Sequence, residues 1–267
     1  MEKKNIKALF FDIDGTLVPF GDHGVPAEVK EAVSELRRRG VKVFISTGRH
    51  LEWIDNLGDL ETDGYVTVNG AMCVLADKKS VIFSRPIPSA DLERLIDFGK
   101  TSDLCFVVVP EEGGIFINRE DHYVSESSKL LNLPPIPIKP LSSARGKKIV
   151  QMMAFGSQEE RDAGGLFTEI LTDCEPTSWN PLFCDIIPKG SNKSVGMAKM
   201  LEHFGIAPEE SMAFGDGDND IAMLRFAGIG VAMGNSADSV KEAADYVTTD
   251  VRDHGVLNAF RRFGLLL

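Results

Sequence analysis

Tryptophan and tyrosine are scarce in this chain, at 2 and 3 residues, and cysteine is limited to Cys73, Cys105, Cys174 and Cys184. None of the four cysteines follows C-x-x-C spacing, so no redox pair or zinc knuckle is encoded. The thiols are expected to be reduced and packed, as in a cytoplasmic protein. The five histidines, His23, His50, His122, His203 and His254, are scattered and form no metal-ligand pair, which argues against zinc. No stretch approaches the roughly 18 uninterrupted apolar residues of a membrane span. Only residues 8–11 lie between the charged opening, 1–7, and Asp12, too few for the apolar core of a signal peptide. Internal repeats and low-complexity tracts are also missing. Positive charge is in deficit, with Lys plus Arg at 29 against 40 Asp plus Glu and a formal net charge of −11. Such a surface disfavours nucleic acid and membranes as partners, but it leaves room for a small anionic ligand at a locally positive site.

What remains is an ordinary globular composition: 267 residues, 43% hydrophobic and 26% charged, enough for one large domain or two modest ones without staples. The first 83 residues alternate strand and helix signals. Ala8-Leu9-Phe10-Phe11 is a short apolar run ending in Asp12, as expected of a buried parallel strand. Over 27–39, Val29, Ala32, Val33 and Leu36 mark one helix face, stopped by Gly40. Two further strands, 41–45 and 65–68, end at Ser46-Thr47-Gly48-Arg49 and Asn69-Gly70. Strand, helix, strand with polar strand ends predicts a Rossmann-like, doubly wound parallel sheet.

The middle reads differently. After Arg85-Pro86-Ile87-Pro88, helices are expected at 90–100, 125–131 and 158–171, and strands at 106–109, 115–118, 150–154, 177–179 and 184–187. This mixture predicts a small α+β domain with an antiparallel sheet. The βα pattern returns with a helix at 194–204, a strand at 212–214 ending in Gly215-Asp216-Gly217-Asp218-Asn219-Asp220, strands at 229–232 and 246–248, and a helix at 237–244. The expected organisation is therefore a core of 1–83 and 188–267 split by an α+β insert at 84–187.

Chemistry gathers at the strand ends. Asp12 and Asp14 are two apart in an extended segment and so point to one side. Gly15 permits a sharp turn, and amides after Asp12 could cradle an anion. The second strand end offers Thr47 and Gly48, a hydroxyl and a flexible amide, and a later one offers Asp216, Asn219 and Asp220. Lys193 is the nearest cation. Clustered carboxylates without His or Cys favour Mg²⁺, which keeps waters and takes phosphate partners. Rival motifs fail. The calcium-loop likeness of Asp216, Asp218 and Asp220 has Ile221 where glycine is needed and Ala227 where glutamate is needed. No strand precedes Gly228-Ile229-Gly230, Lys193-Ser194 lacks the glycines of a P-loop, and G-x-S-x-G is absent.

Four motifs in order resemble those of the haloacid dehalogenase-like phosphatases: Asp12-Ile13-Asp14-Gly15-Thr16, Ser46-Thr47-Gly48-Arg49, Gly190-Ser191-Asn192-Lys193 and Gly215-Asp216-Gly217-Asp218-Asn219-Asp220. Val68-Asn69-Gly70-Ala71 and Val231-Ala232-Met233-Gly234-Asn235 are similar to accessory motifs of the Cof-type branch. The resemblance implies a Mg²⁺-dependent phosphatase of small phosphorylated metabolites, with the insert as a C2-type cap that closes over the core and selects substrate. Sugar phosphates come first, and phosphorylated flavin or pyridoxal cofactors are the alternative. Asp12 would be the nucleophile that becomes an aspartyl-phosphate, and Asp14 the acid and then the base. The metal would be held by Asp12, Asp216 and the backbone carbonyl of Asp14. Thr47, Gly48 and Lys193 would bind the phosphate, Asn219 would orient the phosphate or Lys193, and Asp220 would support the metal shell, with Asn69 a further supporting residue. Lys189 is the fallback for Lys193, and Trp179 is the candidate cap contact. Arg49 and His50 are expected at the cleft edge, against substrate or water, and Asp220 could simply cap the helix after it. A phosphomutase or phosphotransferase would use the same nucleophile, and a non-catalytic phospholigand-binding protein is the reading from another class. Oligomeric state carries no sequence signal.

Overall fold

The computed structural model describes residues 5–22, 24–131 and 135–266, apart from the side chains of 131 and 178–180. In chain order the strands are β1 (Ala8–Phe11), β2 (Lys42–Ser46), β3 (Gly64–Thr67), β4 (Met72–Leu75), β5 (Val81–Ser84), β6 (Cys105–Pro110), β7 (Phe116–Ile117), β8 (Ile149–Phe155), β9 (Cys174–Asn180), β10 (Phe183–Pro188), β11 (Ser211–Gly215), β12 (Ile229–Ala232) and β13 (Tyr246–Val247). The α-helices are α1 (Ala27–Arg38), α2 (Ser89–Phe98), α3 (His122–Leu131), α4 (Gln158–Asp162), α5 (Lys193–Phe204), α6 (Ile221–Phe226), α7 (Asp238–Ala243) and α8 (Gly255–Arg262). The chain divides into two units, 1–83 with 192–267, and 84–191.

The discontinuous unit is α/β. Its sheet runs β13-β12-β11-β1-β2-β3-β4-β5, with β13 through β3 parallel and β4 antiparallel to β3. Strand β1 is central and fully buried because all four of its side chains are apolar and both sheet faces are covered. Leu9 and Phe11 point into one core, where Phe11 stacks on Phe214 with ring centroids 4.9 Å apart. Ala8 and Phe10 point into the opposite one, where Phe10 stacks on Phe44 at 4.7 Å. Helix α1 buries Val29, Ala32, Val33 and Leu36, the stripe its spacing foretold.

Register explains where the polar strand ends meet. Phe11 pairs with Ile45 on one side and with Phe214 on the other. The three strands therefore finish at nearly the same height, and Asp12, Thr47 and Asp216 follow them directly. The chain crosses from β1 to β2 in one direction and later returns to β11 on the other side, so Asp12 sits at a topological switch point.

The second unit is α+β. Its sheet runs β7-β6-β8-β10-β9, antiparallel throughout. One face buries Phe106, Val108, Met152, Ala154, Cys184 and Ile186 together with Leu92, Leu95 and Ile96 of α2. The segment expected as one helix over 158–171 is broken. Helix α4 ends at Asp162, Gly164 and Gly165 adopt φ of +81° and +70°, and a π-turn follows at Leu166–Ile170. Two consecutive left-handed residues cannot continue a right-handed helix. Strands β4 and β5 and helix α8 had no counterpart in the sequence reading. The unit extends to Ser191 because Gly190 is held inside it: its carbonyl accepts from Arg85 at 2.8 Å and its amide donates to Glu175 at 3.1 Å.

Candidate active site

The loop after β1 is wound tightly. The carbonyl of Ile13 accepts from the amides of Thr16, Leu17 and Val18, and the amide of Gly15 donates to Val18 at 2.8 Å. Those four amides are spent inside the loop. The loop carries Asp12, 7% exposed, directly off the buried strand.

Lys193, the first residue of α5, is fully buried, and its Nζ lies 2.6 Å from Asp12 Oδ1 and 2.6 Å from Asp220 Oδ1. The helix is started by Asn192, whose side chain accepts from the amides of Ser194 and Val195, and this fixes where the lysine departs. Burial alone would lower the Lys193 pKa, but the two carboxylates outweigh it and hold the ammonium above its ordinary range. Asp220 does not cap α6. Its other oxygen accepts from the amides of Asp216 and Gly217, both at 3.0 Å, and so ties the loop after β11 to the lysine.

Asp216 receives a hydrogen bond from Thr16 Oγ1 at 3.2 Å and one from Asn235 Nδ2 at 3.3 Å, and the same amide of Asn235 donates to the Gly15 carbonyl at 2.9 Å. Oxygens of Asp12, Asp216 and Asp220 all lie within 4.8 Å of one another. Burial raises the Asp12 carboxyl well above the usual range; Lys193 opposes the rise, and Asp220, Asp216 and Asp14 add to it. Asp216 is pushed up to about 7 by burial and by the charge of Asp220. Three carboxylates face a single ammonium, so the cluster lacks about two positive charges. An all-oxygen donor set with that deficit fits a hard divalent cation.

Asp14 is held elsewhere on the same loop, gripped by both ends of the Arg49 guanidinium at 2.8 Å and 2.8 Å. Thr47 is buried: its amide donates to Val66, its carbonyl accepts from the Asn69 amide at 3.1 Å, and its Oγ1 accepts from the Arg49 amide. Asn219 donates to Asn69 Oδ1 at 3.0 Å. Val68, Asn69 and Gly70 are all left-handed, with φ of 55°, 50° and 86°. For Val68 this is a strained state of a β-branched residue, of the kind that persists where the surroundings over-determine it. A side chain on Gly70 would overlap the Asn192 carbonyl, so the loop presses directly on the start of α5.

The structure thus brings Asp12, Asp216, Asp220 and Lys193 together, with Asn69 on Asn219 and Thr47 bonded to Asn69. Lys189 belongs to the inserted unit and donates to the Thr172 carbonyl there. The Trp179 side chain lies outside the described residues. His50 is only 4% exposed, so it does not simply face water, and its Nδ1 accepts from the Glu52 amide. Thr16 and Asn235 were missed as site residues, although both stand inside quoted motifs. Among the described residues no helix is long and apolar enough to cross a membrane.

The sequence profile described as haloacid dehalogenase-like hydrolase matches residues 9–260. YkrA of Bacillus subtilis (strain 168) is 34% identical over 265 residues, covering 97% of this chain and 98% of YkrA. The 5-amino-6-(5-phospho-D-ribitylamino)uracil phosphatase YcsE of the same organism is 30% identical over 277 residues, covering 99% of this chain and 98% of YcsE. Among solved structures, the HAD subclass IIB sugar phosphatase BT4131 superposes with a TM-score of 0.87 at 38% identity, covering 97% of this chain and all of that one.

Proposed function

The chain belongs to the haloacid dehalogenase-like hydrolase family, and on that premise we propose a Mg²⁺-dependent phosphatase of small phosphorylated metabolites, sugar phosphates first among them. The observation that carries the reading is the triad of Asp12, Asp216 and Asp220, the first and last of them buried, with Lys193 at 2.6 Å from those two. A carboxylate can attack an anionic phosphate only where both charges are offset. Asp12 and Asp216, with the backbone carbonyl of Asp14, would hold Mg²⁺, which supplies charge neutralisation to phosphoryl oxygens.

Asp12 attacks phosphorus as the bond to the leaving oxygen breaks, giving an aspartyl-phosphate. Asp14 gives its proton to the departing alkoxide and later takes one from the water that cleaves the aspartyl-phosphate. Lys193 keeps Asp12 in place and offers its ammonium to phosphoryl oxygens; Lys189, spent on Thr172, is not needed. Thr47 and Gly48 line the phosphate, and Asn219 is braced by Asn69. Asp220 locks the lysine instead of binding metal, since amides and ammonium occupy both of its oxygens. We assign substrate choice to the inserted unit, 84–191, in a reducing cytoplasmic setting consistent with four free, buried cysteines. The sugar-phosphatase neighbour BT4131 supports the first substrate class. The likeness to YcsE favours a second, the phosphorylated flavin precursors.

The test is phosphate release with Mg²⁺ across sugar phosphates, phosphorylated flavin precursors, pyridoxal phosphate and nucleotides, without an acceptor. Turnover of at least one alkyl phosphate is expected. Asp12→Asn is expected to abolish it while unfolding as cooperatively as wild type, and near-normal activity of that variant would remove Asp12 from the nucleophile role.

A further inference from the structure

Both oxygens of Asp14 lie on the fork of Arg49, at 2.8 Å from Nε and 2.8 Å from Nη2. Arg49 is itself fixed from several sides. Its amide donates to Thr47 Oγ1 at 3.1 Å, its Nη1 donates to the Trp53 carbonyl at 3.1 Å, and that same nitrogen lies 3.9 Å from Asp55. The guanidinium plane is therefore set by the turn after β2. A fork that grips both oxygens of a carboxylate sets that group's plane as well as its place.

We propose that Arg49 is a positioning residue for Asp14, holding the carboxyl group in the orientation from which it exchanges a proton with the leaving group. The proposal rests on the phosphatase reading above. As the Asp12–phosphorus bond forms and the phosphorus–alkoxide bond breaks, the proton passes from Asp14 to the alkoxide oxygen. One oxygen of Asp14 can keep a guanidinium N–H while the other carries the proton, so orientation survives the transfer. With its nitrogens committed to Asp14 and Trp53, Arg49 acts on the leaving-group step through Asp14 and not by gripping the phosphate. Lysine has no fork and cannot replace it.

The experiment compares kcat/KM, which reports steps up to departure of the leaving group, for the best alkyl phosphate of the panel and for p-nitrophenyl phosphate. The aryl leaving group departs without a proton, so its turnover also shows that each variant is folded. Arg49→Lys and Arg49→Ala are expected to lose about a hundredfold on the alkyl substrate and less than about threefold on the aryl one. Asp14→Asn should show the same pattern, and the double variant should be no worse than Asp14→Asn alone. Equal losses on both substrates, or additive losses in the double variant, would overturn the positioning role while leaving Asp14 as the acid. If Asp14→Asn fails to distinguish the two leaving groups, the acid role falls and the inference with it.

Discussion

A Cβ on Gly15 would overlap the carboxylate of Asp216 and crowd the ring of Phe20, and the φ of +83° there strains any L side chain. The residue is glycine because the loop after β1 and the loop after β11 approach each other with no room between them. Gly15→Ala must either shift Asp216 or twist the loop. We expect kcat/KM to drop about a hundredfold, the usual cost of displacing a catalytic group by an ångström. Stability should fall by about 1–3 kcal/mol in urea unfolding. Activity within a factor of two of wild type would mean the approach is not needed for turnover. At this scale the aspartates and Lys193 were legible, because each follows a strand or opens a helix in a recognisable spacing. The grip of Arg49 on Asp14 was not, since it spans 35 positions and depends on how the turn after β2 folds. Asn235 escaped for the same reason: its bonds to Gly15 and Asp216 cross 220 and 19 positions.

The turn after β2 is an element whose stability depends on a buried imidazole. His50 opens the 3₁₀ turn Leu51–Trp53 by accepting from the Glu52 amide at 3.3 Å. Burial lowers its pKa to about 4, so the folded protein keeps it neutral. With Nδ1 accepting, the ring proton is assigned to Nε2. The unfolded chain protonates His50 near its ordinary value, about 6.5, and therefore binds more protons than the folded one between about 6.5 and 4. Stability from this residue is full above that window and is lost as pH falls through it, by about 3 kcal/mol. His50→Asn keeps a capping oxygen without a titrating ring. Between pH 7 and pH 4.5 the wild type should lose roughly 2–3 kcal/mol more than the variant in urea unfolding. Parallel pH profiles would show that the imidazole does not titrate on unfolding. The other surprises also sit in elements. β4 is a short apolar strand that turns back directly after the strained Val68–Gly70 loop, without the helix that βα grammar supplies. Helix α8 buries Val256, Leu257, Ala259 and Phe260, a stripe too short to separate from a buried strand by periodicity. The 158–171 segment has helical spacing, but its two glycines take left-handed backbone where local patterning would have carried the helix through.

Across the whole molecule, parallel strands end at one level and collect acids that repel one another, a cost that a bound divalent cation would relieve. Asp216, pushed up to about 7 by burial and by Asp220, is where the cost is most visible. An ion that binds the folded chain and not the unfolded one stabilises by mass action, by about 2.7 kcal/mol at a hundredfold excess over Kd. For a chain of this size that corresponds to a rise of roughly 5–10 °C in the melting temperature of the discontinuous unit. The proton and the metal compete for the same carboxylate. Below about 7 Asp216 retains its proton in the folded state, so the gain from a fixed Mg²⁺ concentration should be smaller at pH 6 than at pH 8. Asp216→Asn should shrink the gain to about 1 °C or less at both values, since it removes the anionic ligand and the titration together. Differential scanning calorimetry with and without Mg²⁺, in both proteins and at both pH values, decides the matter. An equal Mg²⁺ effect in wild type and variant would place the ion away from the strand ends and leave the charge deficit at Asp12, Asp216 and Asp220 to be met by something else.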